Sequence, residues 1–415
     1  MKAAPRADAL RAEPELRAKL ERLGCGEGGA DALLARAAWS RIAEPGDGTA
    51  GALLAAVGAG PGLRLLVEGA SPRNIREIMA AEGIDLAERT VAEALGRWAP
   101  RLDRAATIGD IDRALAAGMT VSMPGGPVWP DAFADLGAHA PVMLWLRGDP
   151  ALLVRPSLSV VGARAATGYG TNVTAEIVDG VCRAGFAIVS GAAYGVDAIA
   201  HRAALAAQAP TVAVLAGGAD RHYPAAHDSL LDRIVREGLV CAEMIPGSAP
   251  TKWRFRMRNR IIAALSPATL VTEAGVRSGT LNTAGHAAEL GRVLGAVPGP
   301  VSSAASAGCH RLIREYGASL VTNAREACEL LGYDDRLDLF GDADDGGPRT
   351  PPRHERVLDA LPLRGGRTLD ETARRAGLSI AEARGALAEL ELLERVRRCE
   401  TPGDSEAKWG LVRAQ

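Results

Sequence analysis

Within nine residues, Lys252 to Arg260 (KWRFRMRNR) set five cations, two aromatic rings and an amide side by side. Cations hold phosphates, an aromatic face stacks a base and an amide can read a base edge, so the stretch suits a polyanion whose bases are unpaired. The competing reading, an alternating solvated edge, leaves the aromatics Trp253 and Phe255 unexplained. Four glycine-bearing loops add to this chemistry. Gly162-Ala163-Arg164 follows an apolar run. There a glycine admits a phosphate to the backbone, and Arg164 adds a two-pronged cationic donor ahead of a helix's positive end. Ser190-Gly191 ends a second run, with Ser190 as a short donor and Gly191 open to close approach. Gly217-Gly218 ends a third and leads to Asp220 and His222-Tyr223-Pro224. Ser278-Gly279-Thr280, at the expected start of a helix, form a further anion nest.

Acidic and nucleophilic groups in the same loops invite an enzymatic reading. Ser190, Asp197 and His201 could form a triad, but Asp197 and His201 lie four apart on one helix face, where they are expected to pair with each other. Ser190 also lacks the context of a nucleophile elbow. Glu273 precedes the last nest, and orienting an arginine is a better role for it than acid–base catalysis. The glycine spacing is not Gly-x-Gly-x-x-Gly, and no acidic residue stands after Ser190-Gly191 to hold a ribose, which argues against a nicotinamide dinucleotide. The six cysteines (Cys25, Cys182, Cys241, Cys309, Cys328, Cys399) include no Cys-x-x-Cys pair. Cys309 and His310 are adjacent and unsuited to chelation. Free thiols are expected, with neither a metal nor a cofactor.

These loops need a scaffold. From Leu158 onward, short apolar runs (LSVVG, FAIVSG, TVAVLAGG, LVCAEM, ATLVTEA, RVLGAVPG) alternate with amphipathic stretches, the last helical piece of the basic segment being read around Asn259 to Leu265. Continuous apolar strands alternating with helices predict an α/β fold, a Rossmann-like, doubly wound and mostly parallel sheet with its ligand crevice at the strands' carboxyl ends. Before it, residues 1–109 read as a helical domain rich in Ala, Leu and Arg, with breaks at Gly24 to Gly29, Pro45 to Gly48 and Gly58 to Gly62. The sheet domain is expected over 110–332 and an acidic, then Gly- and Pro-rich linker over 333–352. Residues 353–415 form a third domain. In it Thr368 and Ser379 serve as helix N-caps, and a strand pair near Leu393 to Arg397 and Ala407 to Val412 matches a winged helix-turn-helix. Its recognition helix carries one arginine against four glutamates, so nucleic-acid binding and protein contact remain equally open for it.

The chain has 415 residues, 47% hydrophobic and 24% charged, and a formal net charge of −2, so positive potential for a polyanion must be local. Met1 to Leu20 lacks the apolar stretch of a signal peptide, and no apolar run is long enough for a membrane span; a cytoplasmic protein is expected.

Taken in order, VGAR, SGAAYGVDAIAH, YPAAH, FRMRNRII, VTEAGVRSGTLNTA and AVPGP, within roughly Asp110 to Leu331, resemble the DNA-processing protein A family (DprA, also called Smf). The resemblance implies an extended Rossmann domain with an amino-terminal helical, SAM-like domain and a carboxyl-terminal winged helix. It implies single-stranded DNA binding by a dimer that acts as a recombination mediator, loading the RecA recombinase in natural transformation (competence), without catalysis. Carried over by position, Arg164, Ser190, Gly191, Lys252, Phe255, Arg258, Asn259 and Arg260 would line the DNA pocket, with Gly162 and Gly217 in the same loops. Ser278 and Gly279 would complete the phosphate nest, and Lys252 and Phe255 would serve one nucleotide. The chain departs from the family pattern at Arg256 (usually Pro), at Trp129-Pro130 (usually Tyr-Pro) and at His227 (usually Asn).

Two other functions stay in view. Rossmann-like nucleotide phosphoribohydrolases hold phosphates on a similar Gly-Thr loop, but need carboxylates just after it. Here Leu281-Asn282 follow, and the next carboxylate is Glu289. A protein adaptor acting through its helical ends is the other.

Overall fold

The computed structural model describes residues 12–24, 29–333, 352–362, 365–393, 395–399 and 407–412. Cys25 and most of the 333–352 linker expected from sequence lie outside them. The chain forms two compact units, residues 1–335 and 336–415.

The larger unit is organised by a sheet built from β1 (Thr120–Ser122), β2 (Leu144–Gly148), β3 (Ser157–Val161), β4 (Ala187–Ser190) and β5 (Thr211–Gly218), then β6 (Leu239–Met244), β7 (Ala268–Val271), β8 (Val293–Ala296) and β9 (Ser319–Leu320). Their order across the sheet is β1-β2-β6-β5-β4-β3-β7-β8-β9. Strands β3 to β9 run parallel, while β1 and β2 add an antiparallel edge. The central strands β3, β4, β5 and β7 are buried at every position, as expected of a sheet covered on both faces. Successive strands move outward from β3 in one direction through β4, β5 and β6. The chain then returns to place β7 on the other side of β3. This reversal makes the carboxyl end of β3, and so Gly162 to Arg164, the topological switch point where such sheets hold ligands. The covering helices are α8 (Gly168–Arg183), α9 (Val196–Ala206), α10 (Asp228–Glu237), α11 (Lys252–Leu265), α12 (Thr280–Glu289), α13 (Ala307–Glu315) and α14 (Ala324–Glu329).

The amino-terminal region is helical, as expected: α1 (Pro14–Arg22), α2 (Ala30–Ile42), α3 (Gly48–Val57), α4 (Ala59–Val67), α5 (Pro72–Ala81), α6 (Glu88–Trp98) and α7 (Arg104–Ala116). Gly58 (φ 82°) separates α3 from α4, but α4 then continues through Gly60 and Gly62 instead of breaking there. A Cβ on Gly62 would make only ordinary contacts with Trp39 and Leu53. The 109/110 boundary expected from sequence falls inside α7. Leu16, Leu20, Leu33 and Ile111 share one hydrophobic cluster with Trp145, Leu215 and Val240 of the sheet. The Asp110 carboxylate, buried and bonded to Arg41 (2.6 Å) and Arg113 (2.8 Å), pins α7 to α2. Among the described residues no single helix is long and apolar enough to cross a membrane; α3 and α4 together reach the length, but meet at 110°.

In the second unit, α15 (Pro352–Ala360), α16 (Leu369–Ala376) and α17 (Ile380–Leu392) pack with a sheet of order β10-β12-β11 (Arg367–Thr368, Lys408–Leu411, Val396–Cys399). Thr368 caps α16, and Ser379 with Glu382 forms a capping box on α17. Gly377 takes the left-handed conformation (φ 63°, ψ 39°) that closes α16. This is the winged helix expected from sequence.

Asp197 and His201 do not pair, contrary to the helix-spacing argument. His201 is fully buried and shares a 2.7 Å hydrogen bond with Thr211 Oγ1, whose own hydrogen goes to Ile188 O (2.9 Å). The imidazole therefore donates from Nδ1, and its buried Nε2 has no partner. Burial first, then Arg258, His227 and Arg202, push its pKa down to about 3. Because the unfolded chain binds this proton and the folded chain refuses it, stability falls as pH drops below about 6.5, approaching about 1.4 kcal/mol per pH unit. A His201→Met variant should show a shallower loss of urea midpoint between pH 7 and pH 5 than the parent. Parallel pH profiles for the two would disprove the account.

Candidate nucleic-acid interface

The helix expected around Asn259 to Leu265 begins earlier, and the basic stretch is helical from its first residue, Lys252. Thr251 caps α11 by accepting from Arg254 N–H (3.2 Å). At about 100° per residue, a helix sorts neighbouring side chains onto different faces, and the five cations are accordingly divided. Lys252 and Arg256 are exposed. Arg254 turns to the helical region, bonding Glu44 at 2.9 and 2.8 Å and Ala249 O at 2.9 Å.

Arg258 and Arg260, both expected at the DNA pocket, point inward. Arg260 is buried, with Nη1 and Nη2 each 2.8 Å from Glu243 and further bonds to His139 O (2.7 Å) and Met257 O (2.8 Å). Its donors are spent on the protein, so it serves the scaffold. Arg258 passes beneath the crevice, where Nη1 donates to Gly191 O and Val214 O, both at 2.5 Å, and Nε donates to Asn259 Oδ1 (3.2 Å). Asn259 in turn donates to Asn282 Oδ1 (3.2 Å), linking α11 to α12.

Phe255 is the residue around which some of the expected side chains gather. Its half-buried ring has the Arg164 guanidinium 5.4 Å from its centroid, that of Arg258 at 5.9 Å and the Tyr223 ring at 5.6 Å. Two loops and one helix thereby converge on the ring, with exposed Arg164 beside it and exposed Lys252 one turn away.

The glycine loops divide in the same way. Gly162 is buried, and a Cβ there would strike the Val196 side chain, so its smallness admits α9 and not a ligand. Gly191 is likewise closed over by the Arg258 guanidinium, and Gly217 by Ser248 and Pro250. Ser190 is fully buried and donates to Val160 O (2.6 Å), which leaves it no hydrogen for a ligand. The α8 end, expected to hold a phosphate, already holds an anion. Glu273, buried, accepts from Thr167 N–H (2.9 Å) and Thr167 Oγ1 (2.6 Å), the N-cap of that helix. Glu273 thus orients no arginine; it caps α8. Asp197 similarly accepts from Ala193 N–H (3.3 Å) and Gly191 N–H, although burial, more than these bonds and Arg258 can offset, pushes its carboxyl above the usual range. The α12 end remains available. Gly279 is exposed at its N-cap position, and half-buried Ser278 bonds only locally, to Thr280 Oγ1 (3.0 Å) and N–H (3.3 Å).

Tyr194 and Tyr223 lie on this rim half exposed (48% and 50%), and sequence reasoning did not carry either into the site. Aromatics make up 4% of the chain, so a tyrosine in a loop after a strand end was the available signal. Burial pushes the thiols of Cys182, Cys241 and Cys309 up to about 12, in keeping with inert free cysteines. Among the described residues no three His, Cys, Asp or Glu side chains gather at metal-ligand spacing.

The division of α11 has a measurable consequence. Arg260→Ala should lower the stability of the larger unit by about 3–5 kcal/mol, because Glu243, its side chain only 11% exposed, is left unpaired. Lys252→Ala should change it by no more than about 0.5 kcal/mol. Urea titrations followed by tryptophan fluorescence test both, and equal effects would contradict the assignment of faces.

The profile of the family described as DNA recombination-mediator protein A matches residues 120–332, and that of the DprA winged helix domain matches 342–400. A Mycobacterium tuberculosis protein carrying the DprA name is 41% identical over 391 residues, 90% of this chain and 93% of its own length. The DNA processing protein DprA of Streptococcus pneumoniae is 43% identical over 187 residues, covering 45% of this chain and 66% of that one. The X-ray structure of DprA from Streptococcus pneumoniae superposes with a TM-score of 0.54 at 29% identity, covering 75% of this chain and 95% of that one. With its switch-point crevice, its Phe255 cluster and these matches along most of its length, the chain belongs to the DNA recombination-mediator protein A (DprA/Smf) family.

Proposed function

We propose that the protein binds single-stranded DNA in the crevice at the carboxyl ends of β3, β4, β5 and β7. It acts there as a recombination mediator that loads the RecA recombinase onto incoming strands, in the cytoplasm and as a homodimer. The observation that carries the reading is the Phe255 ring between the Arg164 and Arg258 guanidiniums, beside Tyr223 and one helical turn from Lys252. A half-exposed ring edged by cations suits a base attached to phosphates and has no advantage for a duplex, whose bases are already stacked. The phosphates fall to Arg164, Lys252 and the open α12 end at Ser278 and Gly279. Arg258, Ser190, Gly191, Gly162 and Gly217 shape the floor from within, and Asn259 ties it to α12. The names of the relatives, which refer to DNA processing, agree with this reading.

A dimer is favoured by the open sheet edge at β9, where Leu320 (53%), Tyr316 (46%) and Val293 (44%) expose apolar area around unpaired strand groups. Catalysis is no part of the proposal. Both oxygens of Glu273 are engaged by Thr167, so it is not a free acid for a nucleotide hydrolase.

Fluorescence anisotropy of a labelled thymidine oligomer over a salt series tests the binding step. The parent should bind with a log–log salt slope of about −0.7 per phosphate contacted. The Arg164→Ala, Lys252→Ala double variant should bind more weakly and with a shallower slope, and Phe255→Ala should cost roughly 1–3 kcal/mol. Absence of binding at modest salt, or a double variant equal to the parent, would refute the proposal. For the dimer, Leu320→Glu should halve the mass seen by light scattering.

A further inference from the structure

A cleft of about 480 Å³ lies against the amino-terminal end of α11, between that helix and the helical region. Its wall includes the 44–49 turn, Leu86, Arg97 and Trp253. Trp253 and Phe255 are two residues apart, so about 200° of helical rotation puts their rings on nearly opposite sides of the first turn of α11. Lys252, exposed, stands between them.

The lining selects among ligand chemistries. Trp253 is 53% exposed, and the Arg97 side chain is 54% exposed. Two carboxylates also border the cleft, each held in place. Glu44 is clamped by Arg254 (2.8 and 2.9 Å) and Arg101 (2.9 Å). Asp47 accepts from Arg97 (3.2 Å), Trp98 Nε1 (3.0 Å) and the α3 backbone. A phosphate entering here would meet carboxylate oxygens. A base would meet an indole face, a guanidinium and acceptors for its N–H edge, all without added anionic charge.

We infer that this cleft is a second base-binding subsite, in which Trp253 stacks a nucleotide of the same single strand that Phe255 engages, the backbone crossing the amino end of α11 over Lys252. The inference rests on the nucleic-acid reading and adds to it a path for the strand. A helix is about 10 Å across with its side chains, so the turn from ring to ring spans a few nucleotides. The crossing phosphates lie where Lys252 and the positive helix end favour them. The subsite therefore contributes only to strands long enough to make the turn.

The test compares full-length parent, Trp253→Ala and Trp253→Phe with thymidine oligomers of about five and about twenty nucleotides. The parent should bind the longer oligomer more tightly than its added length alone explains. Trp253→Ala should lose roughly five- to hundredfold on the longer oligomer and little on the shorter. Trp253→Phe, which keeps a stacking face, should recover most of the loss. The longer oligomer should also quench more tryptophan emission in the parent than in Trp253→Ala. Should Trp253→Ala match the parent at both lengths, this inference is overturned while the Phe255 site stands. Should the parent bind neither oligomer, the nucleic-acid reading fails and takes the subsite with it.

Discussion

A guanidinium buried under the floor of the crevice sets the shape of everything above it. Arg258 draws Gly191 O and Val214 O to within 2.5 Å of one nitrogen, and these carbonyls belong to the loop after β4 and to β5. A charge in that position is tolerable only while its acceptors stay in place. The strand ends, the 191–195 turn and α11 are therefore fixed with respect to one another. Phe255, three residues earlier on the same helix, inherits that fixed position and reaches Arg164 and Tyr223 without rearrangement. Asp197, buried within electrostatic reach of Arg258, completes the polar floor.

The helical region contributes to the same rigidity from the opposite side. Its 44–48 turn lies over α11, where a Cβ on Gly46 would meet Met257 Sδ, and Glu44 grips Arg254. Ser40 reaches Glu243 O (3.1 Å) and receives Trp145 Nε1 (3.1 Å). Through Glu243 this contact adjoins the Arg260 ion pair. The helix bearing the exposed cations is thus clamped between a sheet and a helical cover, and the two parts behave as one unit.

Much of this was legible in the sequence, for identifiable reasons. Runs such as LSVVG and TVAVLAGG are apolar but for Ser159 and Thr211, without the alternation of a half-buried strand, and their glycines mark the ends. Composition also singled out the 252–260 stretch. The orientation of its cations was hidden, because Arg254, Arg258 and Arg260 are turned inward by partners distant in sequence: Glu44, the carbonyls of Gly191 and Val214, and Glu243. Cation and aromatic alternate there as in a strand, and only the Thr251 cap hinted at an earlier helix start. Glu273 misled similarly. Its partner is the backbone and hydroxyl of Thr167, 106 residues away, and no spacing rule reaches that far.

The carboxylate of Glu273 on the α8 end has a kinetic consequence. A helix end sealed by the protein's own anion is electrically quiet whether or not a strand is present, so in the proposed binding mode a departing strand would uncover no unsatisfied interior charge. What it would uncover are Arg164 and Lys252, exposed side chains that water and salt solvate at once. On that reading, residence on this surface would be governed by a few external ion pairs, which a competitor for the same phosphates could displace one at a time. A strand held in the proposed way would sit on a surface suited to handing it over and poorly suited to storing it.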